Sequence, residues 1–211
     1  MPSLMVSVPV GDGGIRPACA EAIGNAVEYA ETNAFGVFDR IVHQHVCGYG
    51  IPHARNAIAQ NALDAHVDYV WMVDSDVVVP EDALVNLVEV RAAICMGWYI
   101  RGRSDEGLTC AIRHGSAGWD DSIGRDELNA MRGEDDPTVQ VKGNGLGCTL
   151  VRVDTFARLP APWFQFTMHP IGPPLGEDYW FCQQCANAGV PLFVDARVGC
   201  GHIHDRLLEA R

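Results

Sequence analysis

Positive charge is scarce in this chain: 15 Lys and Arg stand against 27 Asp and Glu in 211 residues, a formal net charge of -12. Gripping a phosphate backbone takes clustered Lys and Arg, so nucleic acid and anionic lipid are disfavoured as partners, and a phosphate ligand requires a cation beside it. No apolar run approaches the ~20 residues that span a bilayer, and the start, Met1-Pro-Ser-Leu-Met-Val, carries no basic leader. The expectation is a soluble, cytoplasmic protein. No Pro- or Gly-rich linker divides the chain and 48% of its residues are apolar, so residues 1-211 are expected to form one domain around a full core.

A paired set of metal-binding cysteines is also missing. Cys182-Gln-Gln-Cys185 has metal-like spacing but no second CxxC, and in its helical pattern both thiols fall on one buried face. Cys19, Cys47, Cys95, Cys110, Cys148 and Cys200 are scattered through apolar segments, which favours free buried thiols over a disulfide framework. The Gly-rich stretches lack the residues that would make them phosphate sites. Gly11-Asp-Gly-Gly14 is not followed by the Lys-Ser/Thr of a phosphate loop, and Gly143-Asn-Gly-Leu-Gly147 precedes a strand and not a helix. Tight turns explain both, although the second could leave backbone amides open to an acceptor.

What is present is an alternation of strand and helix patterns. A strand begins almost at once, Ala20, Ile23, Val27 and Ala30 repeat at helical spacing, and a second apolar segment follows from Val37 to Val46. Pro52 opens a helix with an inward stripe of Ile58, Ala62 and Ala65. Another helix buries Leu84, Leu87 and Val88, and Ala92 to Ile100 returns as a strand. Such alternation predicts an α/β protein, three layers with a mostly parallel central sheet and helices on both faces. From Arg101 to Pro137 the pattern fades into an excursion over the active face, with one short helix predicted from Ser122 to Met131. Cys148 to Val153 reads as a strand, Pro160 to Phe166 as an aromatic connection, a last helix starts near Gly176, and Val190 to His202 is extended.

The most informative stretch is Val70-Trp-Met-Val-Asp-Ser-Asp-Val-Val-Val-Pro80. Its uninterrupted apolar half suits a strand buried on both faces, and Asp74 and Asp76 stand where that strand meets its loop. Ligands of open α/β sheets bind beyond the carboxyl ends of the strands, which is where two carboxylates can hold a divalent ion and its phosphorylated ligand. The alternative is a turn whose aspartates cap the next helix, since Pro80-Glu-Asp82 resembles a first helical turn. Two distant motifs favour the first reading: Gly176-Glu-Asp178 at a helix start, and Gly201-His202-Ile-His204. Brought to one rim, Asp76 and an imidazole would hold Mn²⁺ or Mg²⁺ with positions open for diphosphate oxygens, and Asp178 would deprotonate an attacking hydroxyl. A helix N-terminus lowers the pKa of such a base while burial beside Trp180 and Phe181 raises it. His43-Gln-His45, sharing one strand face, would add a second His-x-His pair of the kind metallohydrolases use; their usual barrel needs about 200 to 250 residues and eight β-α units, more units than the pattern supplies.

In order along the chain, Val6-Ser-Val-Pro-Val10, Ala54-Arg-Asn56, Val73-Asp-Ser-Asp76, Gly145-Leu-Gly-Cys-Thr-Leu-Val-Arg152, Pro162-Trp-Phe164, Gly176-Glu-Asp-Tyr-Trp-Phe-Cys182 and Val194-Asp195 through His202 resemble a GT-A fold glycosyltransferase of the family 2 type found in bacteria and phages. The resemblance covers most of the chain. It implies a metal-dependent transfer of a sugar from a UDP- or GDP-linked donor to a hydroxyl acceptor of unknown identity, with inversion. It places Pro9, Val10 and Gly11 in the nucleotide pocket with Arg55 nearby, Ser75 on the nucleotide sugar, Asp74 on its ribose or on the metal's water shell, and Asp76 and His202 on the metal. Asp178 matches the catalytic base, Glu177 and Gly145 would contact the acceptor, and Trp163 would form part of the acceptor wall. His204 falls just outside the metal pattern. The absence of an extension after His202 makes the chain look like a minimal catalytic domain. Two other functions fit the same sheet: a sugar-1-phosphate nucleotidylyltransferase, whose Gly-rich basic signature is only faintly echoed by Gly11-Asp-Gly-Gly-Ile-Arg16, and a non-catalytic nucleotide- or carbohydrate-binding protein.

Overall fold

The computed structural model describes residues 1-11, 13-32, 37-101, 108-114, 120-167 and 175-203. Strands β1 (Ser3–Ser7) and β2 (Pro9–Val10) lead to α1 (Pro17–Thr32), then to β3 (Arg40–His43) and β4 (Val46–Cys47). Helix α2 (Ile51–Asp64), with Gly50 as N-cap and Pro in its first turn, precedes β5 (Tyr69–Val73) and the short β6 (Val77–Val78). Next come α3 (Ala83–Glu89) and β7 (Ile94–Trp98). The middle of the chain holds β8 (Leu108–His114), β9 (Asp120–Gly124), α4 (Arg125–Met131) and β10 (Thr138–Val141). The remainder is β11 (Cys148–Arg152), α5 (Asp154–Arg158), α6 (Glu177–Asn187), β12 (Leu192–Gly199) and β13 (Gly201–His202).

Seven strands form one sheet in the order β10-β12-β7-β11-β5-β1-β3. Pairing directions make β1, β3, β5, β7 and β12 run one way, with β10 and β11 reversed. Side-chain alternation along β5 shows why its sequence has no polar phase. Val70 and Met72 enter the core under α2, α5 and α6, while Trp71 and Val73 enter the core under α1 and α3, and all four are buried. A strand covered by helices on both faces needs apolar residues at every position. The helical stripes match in most positions: Ile58 and Ala62 of α2 join the first core, Ile23, Val27 and Ala30 of α1 the second, whereas Ala20 is exposed and Ala65, only partly buried, is the C-cap of α2. No helix among the described residues is long and apolar enough to cross a membrane.

Three expectations are corrected. The segment predicted to be irregular after Arg101 contains an antiparallel hairpin of β8 and β9, closed by reciprocal hydroxyl bonds from Thr109 Oγ1 to Ile123 O and from Ser122 Oγ to Thr109 O, both 2.7 Å. Residues 122-124 therefore belong to β9, and the helix predicted from Ser122 starts at Arg125. β3 ends at His43, so His43 and His45 do not share a strand face. His45 Nδ1 instead accepts the Val8 backbone N–H at 3.3 Å, and burial lowers its pKa. All eight cysteines are free, Cys182 and Cys185 lie on the buried side of α6 as the spacing predicts, and Cys47 is exposed rather than buried.

Candidate active site

The Asp-Ser-Asp turn sits at the carboxyl end of β5. Asp74 N–H donates to Gly147 O at 2.9 Å and Arg16 N–H to Ser75 O at 3.0 Å, which ties the turn to the loop before β11 and to the start of α1. The helix-capping alternative does not describe it: α3 begins at Ala83 with Asp82 at its N-cap. On the far side, β13 pairs antiparallel with β6 and Ile203 N–H donates to Asp76 O at 2.8 Å. That register brings His202 Nε2 to 3.4 Å from Asp76 Oδ2. The hydrogen bond with Asp76 holds the imidazole pKa above its ordinary value, and the Tyr99 ring lies edge-on to the imidazole with centroids 4.9 Å apart.

Beneath the turn lies Arg55, only 2% exposed. Its Nη2 reaches both oxygens of Asp74, at 2.8 and 3.0 Å, its Nη1 donates to Leu146 O at 3.1 Å, and its Nε stands 3.5 Å from Glu177 Oε1. One guanidinium thus joins α2, the end of β5, the loop before β11 and the first turn of α6. Its fork geometry suits this task as an ammonium would not.

Asp178 follows Glu177 in that first turn. Its Oδ1 accepts the Tyr179 backbone N–H at 2.8 Å and folds back over Gly176, where a Cβ would stand 2.6 Å from it. Glycine at the N-cap is what leaves room for the carboxylate. Burial pushes the pKa of Asp178 up, against lowering by the Tyr179 N–H and by Arg55; burial likewise raises Glu177 against the pull of Arg55. Of the two opposing effects at this helix start, desolvation wins.

Above the Asp-Ser-Asp turn a pocket of about 200 Å³ is lined by Pro9, Val10, Gly11, Asp74, Ser75 and Asp76. Tyr49, Ile51 and Ala54 complete it. Tyr49 was not identifiable from sequence; it is largely exposed and its ring stacks on His53 at 4.6 Å. Arg55, expected beside the nucleotide, is under the pocket and not in its lining. Trp163, expected as an acceptor wall, is 8% exposed: its Nε1–H donates to Phe156 O at 2.9 Å and its ring packs on Phe156. Asn56 Oδ1 fixes that position by accepting the backbone N–H groups of Trp163 and Phe164. Gly145 is covered by Tyr99, whose Cζ would lie 2.9 Å from a Cβ there. His204 lies outside the described residues.

No protein-family model matches the sequence, and no curated protein matches it. Among solved structures the chain is similar to A197 from STIV, with a TM-score of 0.61 and 17% identity, 97% of this chain and 87% of that chain being covered. It is similar to GalNAc-T7 in a structure with UDP, GalNAc and Mn²⁺, at a TM-score of 0.60 and 12% identity, covering 98% of this chain and 45% of that one. The chain therefore spans less than half the length of GalNAc-T7. A third similar structure is the catalytic domain of Drosophila β1,4-galactosyltransferase 7 in complex with xylobiose, at a TM-score of 0.50 and 16% identity, with 100% of this chain and 74% of that chain covered. The fold is GT-A. At these identities the likeness is one of fold, and the chemistry has to be argued from the side chains.

The Asp76 and His202 pair suits a divalent ion: a hard carboxylate and an imidazole face each other across 3.4 Å beside the pocket. Among the described residues no third His, Cys, Asp or Glu joins them to complete a cage. A two-residue set of this kind leaves most of the coordination sphere to ligand oxygens and water, as is usual where phosphates share the ion.

Arg55→Met should lower stability by about 3 kcal/mol, the lower end for breaking a buried ion pair because Asp74 keeps partial access to water. For a chain of this size that is a fall in Tm of about 6-12 °C, measured by calorimetry; an unchanged Tm would remove Arg55 as the organiser of the site. Asp178→Asn should behave oppositely. The folded pKa of Asp178 is raised above its unfolded value, so ionisation costs stability as pH rises from about 4 through the folded pKa. The Asn variant, which keeps the acceptor for Tyr179 N–H, should melt at or above the wild-type temperature at pH 7, with the gap closing toward pH 4. A variant that melts lower at pH 7 contradicts this.

Proposed function

We propose that this chain is a single-domain, metal-dependent glycosyltransferase of the family 2-like GT-A type, transferring a sugar from a UDP- or GDP-linked donor to an acceptor hydroxyl with inversion. The observation that carries the reading is the proximity to Arg55 of a small pocket at the strand ends, the Asp76 and His202 pair, and a half-buried carboxylate with a raised pKa. Pro9, Val10, Gly11, Asp74 and Ser75 take the nucleotide, with Tyr49 at the pocket rim. Asp76 and His202 hold Mn²⁺ or Mg²⁺, which when bound neutralises the diphosphate.

Asp178 acts as general base. Its carboxylate accepts the proton of the acceptor hydroxyl while the hydroxyl oxygen forms a bond to the anomeric carbon and the bond from that carbon to the diphosphate oxygen breaks, releasing the nucleoside diphosphate. A carboxylate whose pKa is raised by burial is a stronger base, when ionised, than an exposed aspartate. Arg55 limits the rise by keeping positive charge near three carboxylates, Asp74, Glu177 and Asp178. Glu177, held by Arg55, is left to orient the reacting sugar.

With Mn²⁺ or Mg²⁺, UDP or GDP at about 100 times its Kd should stabilise the fold by about 2.7 kcal/mol, a rise in Tm of about 5-10 °C. The shift should vanish without metal and in Asp76→Ala. A metal-independent shift, or none with any nucleoside diphosphate, argues against the proposal. In a panel of nucleotide sugars, slow metal-dependent hydrolysis should identify the donor. Asp178→Asn should then cut kcat at least 100-fold in transfer while leaving nucleotide affinity within a few-fold. In the wild-type enzyme the acid limb of kcat/KM should fall above the ordinary aspartate range, activity being lost as pH drops through the raised pKa.

A further inference from the structure

Two concavities with linings separate from that of the nucleotide pocket run along α6. One, of about 440 Å³, is lined by Leu175, Tyr179, Gln183, Lys142, Asp120 and His114, among others. A second, of about 710 Å³, continues from it, sharing His114, Lys142 and Ala186 and ending at Gly189 to Leu192. Tyr179, Gln183 and Ala186 recur at helical spacing, so the groove follows one face of α6 for about 10 Å before passing its C-terminus. Its near end is formed by Leu175 and Tyr179, the residues that bracket Asp178 in sequence. At that end the antiparallel bridge between Thr167 and Leu175 sets Phe166 across from Gly176, and Phe166 is 61% exposed.

The chemistry of the lining selects the occupant. Lys142 Nζ donates to both oxygens of Asp120, at 2.8 and 2.7 Å, His114 Nδ1 lies 3.8 Å from the same carboxylate, and Arg113 is paired with Glu127. The charges cancel in pairs, so the groove has no field to draw an anionic polymer into a chain of net charge -12. What it offers is a row of fixed donors and acceptors, from ammonium, carboxylate and amide, interleaved with the apolar surfaces of Leu175 and Tyr179, with the exposed Phe166 beside the near end. Hydroxyl groups, each donor and acceptor, match the first, and the C–H faces of sugar rings match the second.

We propose that this α6 groove is the acceptor site and that the acceptor is a neutral oligosaccharide of several sugar units, its reacting end beside Asp178 and its body along Gln183 and Lys142 toward Ala186. This rests on the glycosyltransferase reading for the role of the bound chain, but not for its binding. Phe166 takes the stacking part that Trp163, buried in the core, cannot.

Binding is therefore tested without donor, by ligand-observed NMR titration with fragments of one to four units from neutral β-glucan, xylan, mannan and galactan, beside polygalacturonate and oligo-dT. At least one neutral series should bind with affinity rising 10-fold or more from one unit to three. Ala186→Trp, which places a large ring in the groove at an exposed position, should abolish that gain, and Gln183→Ala should weaken the trimer 3- to 10-fold; calorimetry confirms that each variant is folded. Absence of binding by every neutral series, affinity independent of length, tighter binding of the anionic oligomers, or length dependence surviving in both variants would each overturn the proposal. The nucleotide-induced Tm shift of the wild-type protein is read separately: if it fails while glycan binding holds, the transferase reading falls and the groove stands.

Discussion

A guanidinium without access to water is the constraint on which the site depends. Removing such a charge from solvent costs several kcal/mol, and the cost is offset only when good acceptors surround it. Arg55 donates to three, both oxygens of Asp74 and the Leu146 carbonyl, and its Nε has the Glu177 carboxylate as a charge partner at 3.5 Å. They come from three different parts of the chain. Satisfying one buried cation therefore fixes the relative positions of the end of β5, the Gly-rich loop and the first turn of α6. These are the parts that must be in register if a donor at the sheet edge is to meet a base on the helix. The contact of Nη2 with both oxygens also decides how Asp74 is held. With both oxygens in contact with Arg55 Nη2, Asp74 is oriented at the pocket floor, and Asp76 is the aspartate that faces an imidazole.

The same arrangement concentrates negative charge. Asp74, Glu177 and Asp178 gather around one cation, and burial raises the pKa of the last two despite it. Adding a diphosphate to such a site without a counterion would be electrostatically unfavourable, and the chain has few Lys or Arg to spare. The imidazole of His202 faces Asp76 at 3.4 Å, so a proton on it would be offset by that carboxylate. On the proposed reading a divalent ion held by Asp76 and His202 would resolve this difficulty, by presenting net positive charge to the phosphates.

Local features were legible in the sequence where local physics decides them. The apolar run of β5 ending in Asp-Ser-Asp, the glycine at the start of α6 and the helical stripes depend on periodicity and capping, and the structure has them where the pattern puts them. Features decided by distant contacts were not. Nothing local to Trp163 says that Asn56, on a helix far away in sequence, will capture its backbone and turn the ring into the core. Nothing local to Arg55 says that it is buried. The β8 and β9 hairpin was missed because its strands are bonded across the hairpin, with an irregular register between Leu108 and Ile112, so no clean alternation marks it. The α6 groove has no sequence signature at all: its two sides come from a helix and from β8, β9 and β10.

The reversed strand β11 explains why a Gly-rich loop that fits no phosphate-binding signature still belongs to this site. In a purely parallel sheet the loop preceding a strand lies at the amino edge, away from the ligand. β11 is inserted antiparallel between β5 and β7, with Cys148 opposite Val73, so its preceding loop arrives at the carboxyl edge of its neighbours. There Gly147 O accepts the Asp74 N–H and Leu146 O accepts from Arg55. The space is tight: a Cβ on Gly147 would stand 2.8 Å from Val77 Cγ2 and 2.9 Å from Tyr99 Cε1. Glycine is required here for close approach of backbone to a tyrosine ring and not for a ligand. Tyr99 in turn covers Gly145 on one side and meets the edge of His202 on the other. Asn144 anchors the loop from below, its Nδ2–H donating to Gly97 O at 2.8 Å while Cys110 Sγ–H donates to its Oδ1 at 3.0 Å. The glycines thus act one step removed from chemistry, by letting the reversed strand carry a carbonyl pair to the turn that holds Asp74 and a tyrosine to the imidazole that faces Asp76.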